Sequence, residues 1–320
     1  MNYSIGQSSP SIKAFFACAN GLGDKFLDVI GVHVLCDYLG YEPKIQFNKG
    51  HTEYFDWGTN QYDLRLFCDI PAFSPTPETE CRRKIIAQNA SSTLCPFKVY
   101  QFLYDNGVPI DFGELNQKYR EYAKGLIRPS AIIEERLPSV LKGAYGIHLR
   151  KSDKIKSSGI DIRHENKLDE FGIIIENLLD DIKVIIENEP EPAFLVVSED
   201  EAWKKTIIEM IVESAEGKPV EIVVLDYSNP ESYENFESVL DMFALSRCKT
   251  IFQGVKYTSY SILAALIGGS KLVNYSPKLE CNTECLIYTW NSVVEINGEY
   301  IENSDILSYI TNGIQNLRIV

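Results

Sequence analysis

Little in this sequence directs it to a membrane. The opening residues, MNYSIGQSSP, lack the basic stretch and apolar core of a secretion signal. The longest apolar run, near 262–273, is broken by Gly268, Gly269, Ser270 and Lys271, well short of the roughly 20 residues a spanning helix requires. Excess positive charge is also missing. Lys and Arg number 31 against 45 Asp and Glu, a formal net charge of −14. Such a balance repels nucleic acid and anionic lipid overall, so an anionic ligand has to find a local basic spot. A disulfide framework is not expected either: the eight cysteines (18, 36, 68, 81, 95, 248, 281 and 285) are scattered along the chain and read as reduced thiols. Cys281 and Cys285 have no second ligand pair nearby, which argues against a zinc site. No internal repeat is visible. The expectation is a cytoplasmic protein without a transmembrane segment and without nucleic acid as a partner.

What is present is ordinary globular material. At 320 residues, 45% of them hydrophobic and 24% charged, the chain is long enough for about two domains. IKAFFACA (12–19) reads as a buried strand and Asn20-Gly21-Leu22-Gly23-Asp24 as a turn. Lys25–Leu39 has helical periodicity, Gly40 is a C-cap candidate, and KIQF (44–47) is a second strand. Residues 48–77 are aromatic and turn-rich without a clear period, and 78–141 suggest several helices interrupted near Pro96, Pro109, Pro129 and Pro138. From 143 the pattern changes. Strands are expected at 143–150, 193–198, 220–225, 249–254 and 271–275, alternating with helices at 168–187, 201–213, 236–245 and 259–268. Short apolar strands alternating with helices imply an α/β fold with a parallel sheet covered on both faces. The expected domains are 1–142 and 143–320, with the boundary in the proline-bearing stretch.

In such sheets ligands bind beyond the carboxyl ends of the strands. At one such end stands His148-Leu149-Arg150-Lys151-Ser152-Asp153-Lys154-Ile155-Lys156. Arg150 is suited to fork two donors onto a diphosphate, with Lys151 and Lys154 as point charges, Asp153 as a brace and His148 as a ring donor. The alternative is a solvated basic loop behind a core-facing histidine.

GIHLRKSDK resembles the H-x-R-R-x-D-K signature of the α-1,6, α-1,2 and protein-O-fucosyltransferase superfamily. Two further segments agree in the right order. ANGLGDKFLDVIGVHVLCDYLG resembles that superfamily's N-terminal Gly-x-Gly loop and helix. SVLDMFALSRCKTIFQGVKYTSYSILAALIGG resembles its late segment, an Asp followed by a strand and a Ser-Ser-Phe-Ser-like turn. The three cover about a quarter of the chain.

The resemblance implies a GT-B-like glycosyltransferase, two Rossmann-like domains facing a cleft, that moves fucose from GDP-fucose to a glycan hydroxyl with inversion and without metal. It implies that Arg150 holds the β-phosphate and stabilises the leaving group, and that Asp241 reads the guanine edge. Thr258, Ser259 and Tyr260 fall on the turn that touches phosphate and base. Asn20, Gly21, Gly23 and Asp24 fall on the N-terminal loop that closes on the donor. Each also has a structural reading: Asp241 as a solvated helix residue, Ser259 as a helix cap, Tyr260 as core. Lys151 stands where the family usually has a second arginine, which replaces a bidentate fork by a point charge. The aligned base position is Ser158, so Asp161, with Glu165 nearby, is the candidate that takes the acceptor proton.

The chain has no Asp-x-Asp pair of the kind that holds Mg²⁺ or Mn²⁺ in many nucleotide-sugar transferases. No cofactor is expected; the partners are a nucleotide-sugar donor and an oligosaccharide or glycoconjugate acceptor, placed near Tyr54, Phe55 and Trp57. Two other readings remain open at this stage: a transferase for another nucleotide sugar, and a non-catalytic nucleotide- or sugar-binding module.

Overall fold

The computed structural model describes residues 11–16, 21–40, 42–47, 54–56, 61–68, 96–105, 107–150, 166–254, 258–274, 294–296, 299–300 and 318–319. Strand β1 (Ser11–Phe16), helix α1 (Leu22–Leu39) and strand β2 (Glu42–Phe47) form a parallel β–α–β opening, with Ala14 opposite Ile45. Helix α1 begins three residues before the expected Lys25. Gly21 is its extended N-cap, so Gly23 and Asp24 lie inside the first turn rather than in a preceding loop. It ends as expected at Gly40, whose φ of 67° is the left-handed conformation that glycine adopts without a Cβ penalty.

The stretch without a clear period holds short pairings: β3 (Tyr54–Asp56) with β4 (Gln61–Asp63), and β5 (Phe67–Cys68) with β6 (Arg128–Pro129), both antiparallel. Between β5 and β6 come helices α2 (Pro96–Asp105) and α3 (Phe112–Leu126), and after them a single turn, α4 (Ala131–Glu134). Asp111 caps α3 by accepting from the Glu114 N–H at 2.8 Å, an ordinary N-cap bond.

The remainder alternates as expected: β7 (Tyr145–Leu149), α5 (Asn166–Asn188), β8 (Ala193–Ser198), α6 (Glu201–Ser214), β9 (Glu221–Val223), α7 (Phe236–Arg247), β10 (Thr250–Gln253), α8 (Ser259–Gly268) and β11 (Lys271–Asn274). All five strands are parallel, in the order β11-β10-β7-β8-β9. Numbered within this unit the order is 5-4-1-2-3, the doubly wound arrangement, and the winding reverses between β7 and β10. Strand β9 is shorter than its apolar run suggests. It is an edge strand, and Val224 just beyond it is 78% exposed. Asp200 caps α6, accepting from the Trp203 N–H at 3.0 Å. Three short strands, β12 (Val294–Ile296), β13 (Glu299–Tyr300) and β14 (Arg318–Ile319), form a separate antiparallel sheet.

Both faces of the parallel sheet are covered. On one, Ile147, Leu149, Phe194, Val196 and Phe252 pack with Ile175, Leu178 and Ile182 of α5 and with Ile207 and Ile211 of α6. On the other, Leu195, Val197, Ile251 and Leu272 join α7 and α8. The same cluster takes in Leu27 and Ile30 of α1, Val99 of α2 and Tyr119 of α3. The apolar interior therefore runs across the expected boundary at 142/143. Among the described residues no helix is long and apolar enough to cross a membrane.

Candidate functional site

The winding reversal fixes where to look. At the carboxyl ends of β7 and β10, His148 is paired with Gln253 in register, and the Gly254 N–H donates to the His148 carbonyl at 3.0 Å. Arg150 follows directly, half-buried at the strand's exit. Helix α8 starts at the same end. Thr258 is its N-cap, accepting from the Tyr260 N–H at 3.3 Å, and Ser259 and Ser261 are buried in its first turn.

These residues hold one another. His148 Nδ1 lies 2.6 Å from Ser261 Oγ, and its ring sits 4.9 Å from that of Tyr260. The Tyr260 hydroxyl donates in turn to the Ser238 carbonyl, tying α8 to the first turn of α7. Burial, and after it the charge of Arg150, push the His148 imidazole down to about 3, so the ring is neutral at ordinary pH.

Helix α1 enters from the other half of the chain. A Cβ built on Gly23 would stand 2.5 Å from both the Ser259 carbonyl carbon and the Tyr260 nitrogen. Only glycine lets the first turn of α1 reach the first turn of α8. Two helix N-termini, each with a partial positive charge, thus meet, and α8 is joined through the Ser261–His148 contact to the end of β7, which Arg150 follows in the chain. In a chain of net charge −14 two helix N-termini near a strand-end arginine are features suited to an anion such as a phosphate, with Asp24 the one acidic residue in the first turn of α1.

Asp241 occupies the same helical layer, one turn after Ser238 in α7. Its Oδ1 accepts from the Tyr227 hydroxyl at 2.6 Å, and the Lys204 ammonium stands 5.0 Å from the Tyr227 ring centroid. Burial pushes the Asp241 carboxyl up to about 7, against the Tyr227 hydrogen bond and the Lys204 charge, which pull it down.

The structure therefore brings together Gly21, Gly23, Asp24, His148, Arg150, Thr258, Ser259 and Tyr260 from three separated segments. Asp241 is joined to them only through α7. Asn20, Lys151, Asp153, Lys154, Ser158, Asp161, Glu165, Trp57, Cys281 and Cys285 lie outside the described residues, as do the side chains of Tyr54 and Phe55. Two residues outside the sequence-based candidates, Ser261 and Tyr227, belong here, and Lys25 is buried close to Gly23 in the chain. Ser261 was visible inside the Thr258–Ser261 turn, and Tyr227 in the loop after β9. Lys25, two residues after Gly23, is 1% exposed, and it carried a signal: a lysine among Leu22, Phe26, Val29 and Ile30.

Neither a protein-family profile nor a curated protein matches the sequence. The chain is similar to several solved structures. An Arabidopsis thaliana FUT1 mutant in complex with GDP aligns with a TM-score of 0.48 at 12% identity, over 84% of this chain and 71% of that one. POFUT1 in complex with GDP-fucose aligns at 0.45 and 10%, over 84% and 98%. The fucosyltransferase NodZ from Bradyrhizobium aligns at 0.45 and 12%, over 84% and 97%.

Proposed function

We propose that this chain is an inverting, metal-independent glycosyltransferase that takes fucose from GDP-fucose to a glycan hydroxyl. The observation that carries this reading is the meeting of the N-termini of α1 and α8 at the winding reversal of the sheet, where Arg150 follows β7. That arrangement suits a diphosphate, and the three family-like segments converge on it. In this reading residues 143–320 hold the donor, and residues 1–142 supply the Gly21–Asp24 turn and the acceptor side.

The acceptor oxygen attacks the anomeric carbon on the face opposite the diphosphate. The bond from that carbon to the β-phosphate oxygen breaks, and GDP leaves with the electron pair. Negative charge grows on the diphosphate as the bond breaks, and in this reading Arg150 and the helix N–H groups compensate it; losing one such contact typically costs about 3–4 kcal/mol of barrier. In this reading Arg150 gives the leaving group its counter-charge without a divalent ion. Asp161 takes the acceptor proton, and Asp241 accepts from the guanine edge.

Calorimetric titration of GDP, UDP and GDP-fucose in EDTA, against wild type and Arg150→Ala, tests the reading. Micromolar binding of GDP, absent for UDP and lost in the variant, is the expected result. Equal binding of UDP would move the donor to another nucleotide sugar, a substitution that Lys151 in place of the family's arginine accommodates. Binding without donor turnover would make the chain a non-catalytic module. No nucleotide binding would overturn the site.

A further inference from the structure

The contact between His148 and Ser261 does more than fill space. Both side chains are buried, Ser261 fully and His148 with 5% exposure, and their 2.6 Å separation leaves room for one shared proton. Two placements are chemically available. In one, Nδ1–H donates to Oγ, and the hydroxyl proton needs a second acceptor. In the other, the hydroxyl donates to Nδ1, and the ring carries its proton on Nε2. Among the described residues the Ser261 hydroxyl has no hydrogen-bond partner besides His148. A buried hydroxyl proton without an acceptor is disfavoured by about tenfold or more, so the second placement prevails.

We propose that Ser261 is a positioning residue that fixes His148 as the Nε2–H tautomer, so that the end of β7 presents a neutral, oriented hydrogen-bond donor beside Arg150 to an acceptor atom of the nucleoside diphosphate. The ligand part rests on the donor reading above; the tautomer rests only on the contact. Tyr260 limits ring rotation from one side. Because the ring is neutral, it cannot hand a proton to the leaving group; it supplies direction, and Arg150 supplies charge.

The test uses the full chain labelled with ¹⁵N-histidine. Two-bond ¹H–¹⁵N spectra separate the tautomers, and His148→Gln assigns its signals among the four histidines. The expected result is an unprotonated Nδ1 and a protonated Nε2 in wild type without any nucleotide. Ser261→Ala should turn this into a mixture, while Ser261→Thr, which keeps a hydroxyl, preserves it. An Nδ1–H ring, a cationic ring at neutral pH, or an unchanged tautomer in Ser261→Ala would overturn the proposal. If Ser261→Ala does not fold, the wild-type and Ser261→Thr spectra decide. In calorimetry, GDP affinity should fall about tenfold in Ser261→Ala and recover in Ser261→Thr. An unchanged affinity would overturn the ligand part. Failure of wild type to bind GDP would sink the donor reading while the spectra still judge the tautomer.

Discussion

Gly23 of α1 and Ser259 of α8 are in backbone contact: a Cβ at Gly23 would lie 2.5 Å from the Ser259 carbonyl carbon and 2.7 Å from its hydroxyl oxygen. Since neither backbone can yield as a flexible side chain would, Gly23→Ala must push α1 away from α8. The expected loss is about 1–3 kcal/mol of stability, together with weakened nucleotide binding, because the two helix ends no longer meet. Gly125, near the end of α3, has open space at its Cβ position. Gly125→Ala should stabilise by about 0.5–1 kcal/mol through helix propensity. Denaturant titration of the two variants checks both signs, and a neutral Gly23→Ala would contradict the contact.

Asp241 gives a pH dependence with a definite sign. Its folded-state carboxyl sits near 7, against about 3.9 in an unfolded chain. The folded state therefore keeps the proton longer, and the stability this group contributes is fully present below about 4 and is lost as pH rises toward 7. Asp241→Asn, which preserves an acceptor for the Tyr227 hydroxyl, removes that loss. Wild type and variant should differ least in acid, and the variant should gain steadily up to about pH 7 and then level off. If Asp241 reads a guanine edge as a carboxylate, GDP affinity of wild type should rise over the same interval, and the variant's should not. Urea melts and calorimetry at pH 5 and pH 8 measure both.

How far the sequence reaches depends on whether a local signal and the tertiary packing agree. Strand β8 and helix α8 fall where their patterns place them, because the first is five apolar residues and a serine after a proline and the second starts at a threonine cap. Helix α1 starts earlier than its periodicity indicates, for a physical reason. Two glycines in three residues read as a turn, yet the second is tolerated inside the helix because it faces a neighbouring backbone rather than water. The strands between 54 and 68 are two or three residues long and offer no period to detect, and one of them pairs with a segment about 60 residues later. In the site, the positions of His148, Arg150 and Ser259 at strand and helix ends follow from the alternation of elements. The burial of Lys25 and the pairing of Tyr227 with Asp241 depend on which elements pack together, and nothing local announces them.

Arg150 is where the chemistry should be most sensitive. In the proposed reaction its planar fork would meet two oxygens of a departing diphosphate, which a lysine cannot do. Arg150→Ala should lower donor turnover by about 10²–10³, and Arg150→Lys should recover only part of that. Removing this charge also removes one of the two causes that hold His148 down, so in Arg150→Ala the imidazole should titrate at higher pH. Initial rates of GDP release together with a histidine NMR titration test the two effects separately. Unchanged rates with a shifted histidine would leave Arg150 as an electrostatic neighbour and not a catalytic group.

Away from the site, the Asp63 carboxylate is fully buried and held by Arg65 through contacts of 2.6 Å to Nη2 and 3.0 Å to Nε, and also by the Arg65 backbone N–H at 2.9 Å. Arg65 reaches further, to Glu231 at 3.3 Å and over the Tyr233 ring at 4.6 Å, so it clips the β4 segment to the loop before α7. Deleting the arginine strands a buried charge, whereas deleting both charges strands none. Arg65→Met should therefore cost about 2–4 kcal/mol, toward the low end because the guanidinium side is 43% exposed and water can reach the gap. Asp63→Asn/Arg65→Met should recover a good part of that loss. Urea melts of the two variants measure this, and equal losses in the single and double variants would mean that packing over Tyr233, and not the ion pair, holds this clip in place.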